Sequence, residues 1–437
     1  MVKPLVAIVG RPNVGKSTLY NKMTGHRSAI VENTPGVTRD RLYGDVEWCG
    51  YNFSVVDTGG IEPNSDDIMW SEIRAQAIIA IDTADVIVLV VDSKQGIMPD
   101  DEEVSKILRK SKKPVIVAVN KVDNIADDNH YDFYSLGFES VYGISAEHSK
   151  GLGDMLDDVV SYFVRQEEVI VDSLKIAIIG KPNAGKSSLV NKIIGYDRVI
   201  VTDIAGTTRD AIDTPFEYND KKYTLVDTAG VRRKRSIHDN VEHYSVVRAL
   251  GAIRRADIVF LVLDSSDEIS EQDVRLAGYI HEQGKPSVIV MNKWDLVNKD
   301  TYTINEYEKK LAEAIKFMSY FKSSYVSALT GKRVEQLLAL AEEVYGNADQ
   351  HVATGTLNDI IQNAIMVTEP PNFKGRKLKI LYVNQVKSHP PLFVFFVNDP
   401  SLVHFSYRRY LENCIRQSYN FTGTPIQLVF RSRDEEK

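Results

Sequence analysis

One segment of this chain occurs twice. GRPNVGKSTLYNKMTG at residues 10–25 returns as GKPNAGKSSLVNKIIG at residues 180–195, identical at ten of sixteen positions. The same offset of 170 relates TPGVTRD (34–40) to IAGTTRD (204–210), and DTGG (57–60) to DTAG (227–230). It grows to 172 for NKVD (120–123) against NKWD (292–295), and to 182 for the Ser-Ala pairs at 145–146 and 327–328. Fixed motifs with slowly growing spacing mean a duplicated domain with small loop insertions. Solenoid units run only ~20–50 residues, so a period this long predicts two tandem copies of one domain.

Each copy alternates strands and helices. LVAIVG, NFSVVD, DVIVLVVD and PVIVAVN in the first, and KIAIIG, KYTLVD, DIVFLVLD and PSVIVMN in the second, are near-continuous apolar runs. Such runs indicate strands buried on both faces, hence an α/β fold with a mainly parallel, doubly wound sheet. The spacing predicts the first copy over residues 1–165, a linker at 166–173, the second copy over 174–348 and a small α+β domain over 349–437. In that last domain the pattern predicts helices at 357–366 and 402–419 and strands at 378–383, 392–397 and 426–430.

Lys plus Arg number 53 and Asp plus Glu 60, a net charge of −7, which excludes a globally basic coat for nucleic acid. The charge is uneven. Residues 351–437 hold 11 basic and 7 acidic side chains, leaving 42 and 53 for the rest, so +4 sits at the end of a chain otherwise at −11. Cys49 and Cys414 are the only two cysteines and give no disulfide framework, as expected in a reducing compartment. The nine histidines show no ligand spacing for a transition metal. No apolar run approaches the roughly 20 residues that span a bilayer, and the N-terminal residues lack the form of a signal peptide. A soluble cytoplasmic protein is expected.

The repeated G-x-x-x-x-G-K-S after a strand is a P-loop. Its glycines let backbone N–H groups face the α- and β-phosphates of a nucleotide at a helix N-terminus. The expected contacts are Gly10, Asn13, Val14, Gly15, Lys16, Ser17 and Thr18 in the first copy. Gly180, Asn183, Ala184, Gly185, Lys186, Ser187 and Ser188 are their counterparts. Lys16 and Lys186 would reach the β/γ-phosphates, and the Ser17 and Ser187 hydroxyls would hold Mg²⁺. Thr38 and Thr208 are the expected second Mg²⁺ ligands, with Asp57 and Asp227 behind its water shell. Gly60 and Gly230 could offer an N–H to the γ-phosphate and release it on hydrolysis, an order–disorder switch. A carboxylate after a strand end can accept two hydrogen bonds from guanine, so Asp123 and Asp295 select GTP over ATP. Asn120 and Asn292 would brace the loop, and Lys121 and Lys293 would cover the base. The backbone of Ser145-Ala146 and Ser327-Ala328 could meet guanine O6.

These motifs, twice over, resemble the Der (EngA) family of double-domain GTPases, in the TrmE–Era–EngA–septin group. The likeness covers essentially the whole chain, and two tandem G domains in one polypeptide are highly specific to that family. The resemblance implies GTP hydrolysis, association with the large ribosomal subunit and its rRNA during maturation, and a KH-like terminal domain. It implies no DNA or membrane partner, and the free protein is expected to be a monomer. Asn13 and Asn183 match the position that relatives use to hold K⁺, so potassium-stimulated hydrolysis is expected; the alternative is that they only pin the loop. K⁺ matters because Ile61 and Val231 stand where small signalling GTPases carry a water-orienting glutamine. A second reading is a nucleotide-gated rRNA-binding scaffold with slow hydrolysis. A tRNA-modification role needs domains that this chain lacks.

The copies differ after DTxG: VRRKR at 231–235 is basic, IEPNSDD at 61–67 acidic. Arg232, Arg233 and Arg235 are expected to contact rRNA or another domain, with a solvated loop as the alternative. The terminal domain lacks the Gly-x-x-Gly clamp of KH domains. Lys374, Arg376, Lys377 and Lys379 cluster there. Arg409 and Arg416 share one face of the 402–419 helix, either an RNA contact or a solvated face. Tyr407, Leu411, Cys414 and Ile415 form its apolar stripe.

Overall fold

A strand apolar at every position must bury alternate side chains on opposite faces of its sheet. The computed structural model describes residues 4–25, 43–57, 80–81, 84–111, 113–122, 128–164, 173–195, 199–201, 213–228, 241–370, 372–373 and 376–432. Two compact units divide the chain: Met1–Ile170 with Ser236–Gly251, and Val171–Arg235 with Ala252–Lys437.

The first copy runs β1 (Leu5–Val9), α1 (Lys16–Thr24), β2 (Tyr43–Trp48), β3 (Tyr51–Asp57), β4 (Val86–Asp92), α2 (Pro99–Arg109), β5 (Val115–Asn120), β6 (Ser140–Gly143) and α3 (Leu152–Val164). Its sheet has the order β2-β3-β1-β4-β5-β6, parallel except for the edge pair β2/β3. Parity sorts the apolar runs. Val6, Ile8, Val86, Val88 and Val90 pack with Leu19 of α1 and Leu156 and Val159 of α3. Leu5, Ala7, Val9, Ile87, Leu89 and Val91 pack with Val104 and Leu108 of α2. Each fully buried aliphatic side chain contributes about 1.5–3 kcal/mol of transfer free energy.

The chain continues through β7 (Leu174–Ile179), α4 (Lys186–Ile194), β8 (Val199–Val201), β9 (Thr214–Tyr218), β10 (Lys221–Val226), α5 (Val241–Arg255), β11 (Ile258–Asp264), α6 (Glu271–Glu282), β12 (Ser287–Asn292), α7 (Thr303–Ala314), β13 (Lys322–Tyr325) and α8 (Gln336–Ala348). Its sheet order is β13-β12-β11-β7-β10-β9-β8, parallel from β13 to β10 and antiparallel beyond. In both sheets the strand that leads into the P-loop is central.

The terminal domain comprises α9 (Thr354–Val367), the two-residue strands β14 (Asn372–Phe373) and β15 (Arg376–Lys377), β16 (Ile380–Lys387), β17 (Leu392–Val397), α10 (Phe405–Ser418) and β18 (Gln427–Ser432). In its three-stranded sheet, β16 pairs antiparallel and β18 parallel with β17. Leu357, Ile361 and Ala364 of α9, Phe393 and Phe395 of β17, and Tyr407, Leu411 and Ile415 of α10 share one core, with Cys414 at its margin. The chain therefore has two parallel-dominated α/β domains and a small α+β domain. No helix among the described residues is long and apolar enough to cross a membrane.

Of the two arginines on one face of α10, Arg416 is half-buried against protein and Arg409 stays exposed. Arg416 lies 4.5 Å over the Tyr320 ring and donates to Glu412 Oε1 at 2.9 Å, Phe421 O at 3.2 Å and Thr424 O at 3.0 Å. Arg409 donates to Lys316 O at 3.0 Å. Tyr320 is buried and its hydroxyl meets His281 Nδ1 at 2.7 Å, at the end of α6. Burial pushes the His281 imidazole below its usual pKa. Around this pillar, Ser287 N donates to Gly423 O at 2.8 Å, Gly423 N to Tyr320 O at 2.6 Å, and Asn347 Nδ2 to Thr422 O at 3.0 Å. The terminal domain is thus docked on the second α/β domain through backbone hydrogen bonds and one enclosed guanidinium. A helical repeat places two arginines on one face; it does not say what that face meets.

Candidate functional site

All the repeated motifs converge at the carboxyl ends of the parallel strands, where doubly wound sheets bind ligands. In the first copy, sheet order sets Asp57, the P-loop, Asp92, Asn120 and the 145–146 pair along one edge. In the second it aligns Asp227, the P-loop, Asp264, Asn292 and the 327–328 pair.

The loops approach their neighbours too closely for side chains at two points each. A Cβ on Gly10 would lie 2.3 Å from Val90 O, and one on Gly180 2.2 Å from Val262 O. A Cβ on Gly15 or Gly185 would lie 2.3 or 2.2 Å from Nδ2 of Asn120 or Asn292. Gly15 (φ 97°), Gly185 (φ 94°), Asn13 (φ 65°) and Asn183 (φ 64°) all take the left-handed region. Asparagine tolerates that region better than most side chains. Both asparagine side chains are exposed, as are Thr18 and Ser188, while Val14 and Ala184 are buried.

The lysines curl back over the loop. Lys16 Nζ donates to Gly10 O and Arg11 O, each at 2.8 Å; Lys186 Nζ donates to Gly180 O and Lys181 O, each at 2.7 Å. Burial pushes the Lys186 ammonium down to about 8, opposed by the Asp273 charge. A phosphate beside it would favour the charged form again. Ser17 Oγ donates to Asp57 Oδ2 at 2.8 Å, at the start of α1 and the end of β3. Two hard oxygen donors this close, one of them a buried carboxylate, suit a Mg²⁺ ion. Ser187 is half-buried at the matching place on α4. The Asp227 amide donates to Asp213 Oδ1 at 2.9 Å.

Asn120 and Asn292 tie three segments together. Asn120 Nδ2 donates to Val14 O and its Oδ1 accepts from Ala146 N, both at 2.9 Å. Asn292 does the same with Ala184 O and Ala328 N, again at 2.9 Å. Ser145 N and Ser327 N donate to Lys150 O at 3.0 Å and Lys332 O at 3.2 Å. The Ala amides thus hold the bracing asparagine and the Ser amides hold the turn that follows, which places both pairs at the strand ends beside it.

Lys121 and Lys293 also take left-handed backbone, at φ 67° and 60°. Their ammonium groups are fixed by carboxylates at the ends of β4 and β11: Lys121 to Asp92 at 2.7 Å, Lys293 to Asp264 at 2.5 Å. Burial raises the Asp264 pKa, but hydrogen bonds from Lys293 and Ser266 outweigh it and hold the carboxyl below its usual value. In the second copy Trp294 is buried against Tyr307 and Tyr325, and its amide donates to Val326 O at 3.0 Å. Asp295, next in sequence, is left exposed at the strand ends. Thr38, Gly60, Asp123, Thr208 and Gly230 lie outside the described residues. So do the segments 61–67 and 231–235, the 166–172 part of the linker, and Lys374.

Sequence reasoning missed Asp92 and Asp264, although both close a repeated apolar strand at the offset of 172. It also missed a charge pair joining each P-loop to the segment and helix that follow Asp92 or Asp264. Arg11 Nε meets Asp101 Oδ1 at 3.2 Å; Lys181 Nζ meets Asp267 Oδ2 at 2.8 Å and Asp273 Oδ2 at 3.7 Å. Asp101 and Asp273 stand at the third positions of α2 and α6, where their carboxylates accept from the N-cap amides of Met98 at 3.1 Å and Ser270 at 3.0 Å. The capping box is full only in α6, where Ser270 Oγ accepts from Asp273 N. Burial pushes the Asp101 carboxyl above its usual pKa, against the pull of the Met98 amide and Arg11.

Comparison with known proteins places this geometry. Residues 5–121 and 175–293 match the family described as 50S ribosome-binding GTPase, and residues 351–431 match the KH-domain-like C-terminal domain of EngA bacterial GTPase enzymes. GTPase Der of Clostridium kluyveri is 52% identical over 438 residues, and GTPase Der of Clostridium tetani 53% identical over 438, each covering 100% of both chains. Among solved structures, Era in complex with MgGDPNP and nucleotides 1506-1542 of 16S ribosomal RNA aligns at 18% identity and a TM-score of 0.30, covering 60% of this chain and 92% of that one.

Proposed function

Because the chain belongs to the Der (EngA) family of GTPases, we propose that it is a double GTP-driven switch that binds the large ribosomal subunit during its assembly. The observation that carries this reading is the duplicated brace, in which one buried asparagine per domain joins the P-loop to the two segments that would flank a guanine.

In each domain the P-loop amides and Lys16 or Lys186 bind the β- and γ-phosphates and offset the charge that develops as the γ-phosphoryl group passes to water. Asp123 and Asp295 select guanine, with Lys121 and Lys293 over the base. A bound Mg²⁺ supplies charge neutralisation between the phosphates, and Ser17 with Thr38, or Ser187 with Thr208, would hold it, backed by Asp57 or Asp227. Ile61 and Val231 cannot orient water by hydrogen bonding. Asn13 and Asn183, exposed on the loops, would hold K⁺ beside the phosphates and add the missing positive charge. Gly60 and Gly230 sense the γ-phosphate. The working division is two G domains at 1–165 and 174–348, a tether at 166–173 and the KH-like domain at 349–437, acting in the cytoplasm as a monomer when free.

The test is sedimentation with isolated ribosomal subunits in potassium buffer under GDP, GTP and a non-hydrolysable GTP analogue. Co-migration with the large subunit under GTP or the analogue and not under GDP is expected. Absence of binding in every nucleotide state would remove the ribosomal role and leave only the paired GTPase. A scaffold with slow hydrolysis would bind equally well but show no faster turnover in potassium than in sodium.

A further inference from the structure

Of the two arginines on α10, Arg416 is held against the second G domain, while Arg409 donates to Lys316 O and stays exposed, so a fuller RNA contact by the terminal domain needs a further surface. The outer face of its sheet offers one. Register puts Tyr382 of β16, Phe396 of β17 and Arg431 of β18 in a single row across three strands. Partners in register share a face, and the core side of this sheet is taken by Val383, Phe393 and Phe395. The row therefore points away from the two helices. Its aromatic members lie ring on ring, with centroids 4.4 Å apart and planes inclined by 7°. Arg431 is exposed, Tyr382 is 46% exposed, and Leu381 and Val386 on the same edge strand are 46% and 62% exposed.

Among the described residues β16 is an edge strand, with no further strand beside Tyr382. An added peptide strand is disfavoured because Asn358 already occupies that edge. Its Nδ2 donates to Val383 O and its Oδ1 accepts from Val383 N, both at 2.9 Å. What remains is a flat aromatic stack, with the exposed Arg431 next in register after Phe396. Lys379 and Lys387, both exposed, lie at the two ends of the strand, within a domain that carries the chain's surplus of positive charge. Planar stacking surfaces ringed by cations are what unpaired nucleobases and their phosphates bind.

The geometry points to the outer sheet face of the terminal domain, centred on Tyr382, Phe396 and Arg431, as a stacking platform for single-stranded RNA. It takes the place of the backbone clamp that the chain lacks. This rests on the proposed ribosomal role and names the surface through which the terminal domain serves it. A base continues the stack on Tyr382, and Arg431 with Lys379 or Lys387 meets the flanking phosphates.

Fluorescence anisotropy of the full-length protein with a labelled single-stranded RNA decamer, and with a duplex of equal length, tests this beside sedimentation with ribosomal subunits. Tyr382→Leu keeps the apolar bulk and removes the ring. It should weaken single-strand binding about tenfold, leave duplex binding unchanged, and be rescued by Tyr382→Phe to within about twofold of wild type. Arg431→Gln should weaken binding and flatten its salt dependence by about 0.7 in slope, one phosphate's worth on a single strand. Wild-type affinity in Tyr382→Leu, equal losses on single strand and duplex, or no single-strand binding by the wild type would each overturn the platform. If the large subunit still binds in those cases, the ribosomal role stands without this surface; if it does not, both fall.

Discussion

Gly180→Ala should lower the melting temperature of the second domain by about 10 °C or more. A Cβ there would lie 2.2 Å from Val262 O and 3.2 Å from Val262 C, both backbone atoms. Those atoms belong to β11, which is hydrogen-bonded on both sides, to β7 and β12, so they cannot yield without breaking the sheet at its centre. A forced overlap of this kind costs about 3–5 kcal/mol, and each kcal/mol shifts a domain of this size by about 2–4 °C. Gly346→Ala is the matched control. Gly346 lies in α8 with open space around its missing Cβ, so alanine there should stabilise by about 0.5–1 kcal/mol through helix propensity. Thermal unfolding of both variants decides it; a Gly180→Ala protein that melts with wild type would mean that the P-loop does not approach β11 as described.

Asp295→Asn should separate nucleotide selection from folding in the second domain. A carboxylate accepts both guanine N–H groups, whereas an amide offers one acceptor and one donor, leaving guanine's exocyclic amine against a donor. Hydrogen bonds to a charged group contribute about 1.5–3 kcal/mol each, so losing the pair should weaken GDP binding at that site by a factor on the order of 100 or more. Xanthine carries an acceptor where guanine carries the amine, and xanthosine diphosphate should gain affinity. The melting temperature should hardly move, because Asp295 is exposed and the local packing rests on Trp294. Titration with fluorescent guanine and xanthine nucleotides reads both changes. Unaltered GDP affinity at two sites would place the base elsewhere.

The two predictions differ in how far the sequence alone reached. The place of Asp295 and the bracing role of Asn292 were legible because a repeated motif after an apolar strand fixes its position at the strand end, whatever the rest of the chain does. The closeness of Gly180 to Val262 was not, since it depends on β7 and β11 being neighbours. The same holds for Asp92 and Asp264: their strands were visible, their lysine partners came only with strand order. In the terminal domain, periodicity identified α10 and its core stripe of Tyr407, Leu411 and Ile415. It could not show that Arg416 stacks on Tyr320, because the latter sits in an unrepeated segment of another domain. The Ser-Ala pairs were legible as positions at the strand ends, but their hydrogen bonds to Asn120 and Asn292 came only with the fold.

Two independent guanine-nucleotide sites, one in each copy, follow from the duplicated motifs. Calorimetric titration of the wild-type protein with GDP, in magnesium and potassium buffer, tests this most directly. Two GDP per chain are expected, falling to one when either Lys16 or Lys186 is replaced by alanine, with no displacement by ADP. A single site in the wild-type chain, or ADP competing as well as GDP, would contradict it.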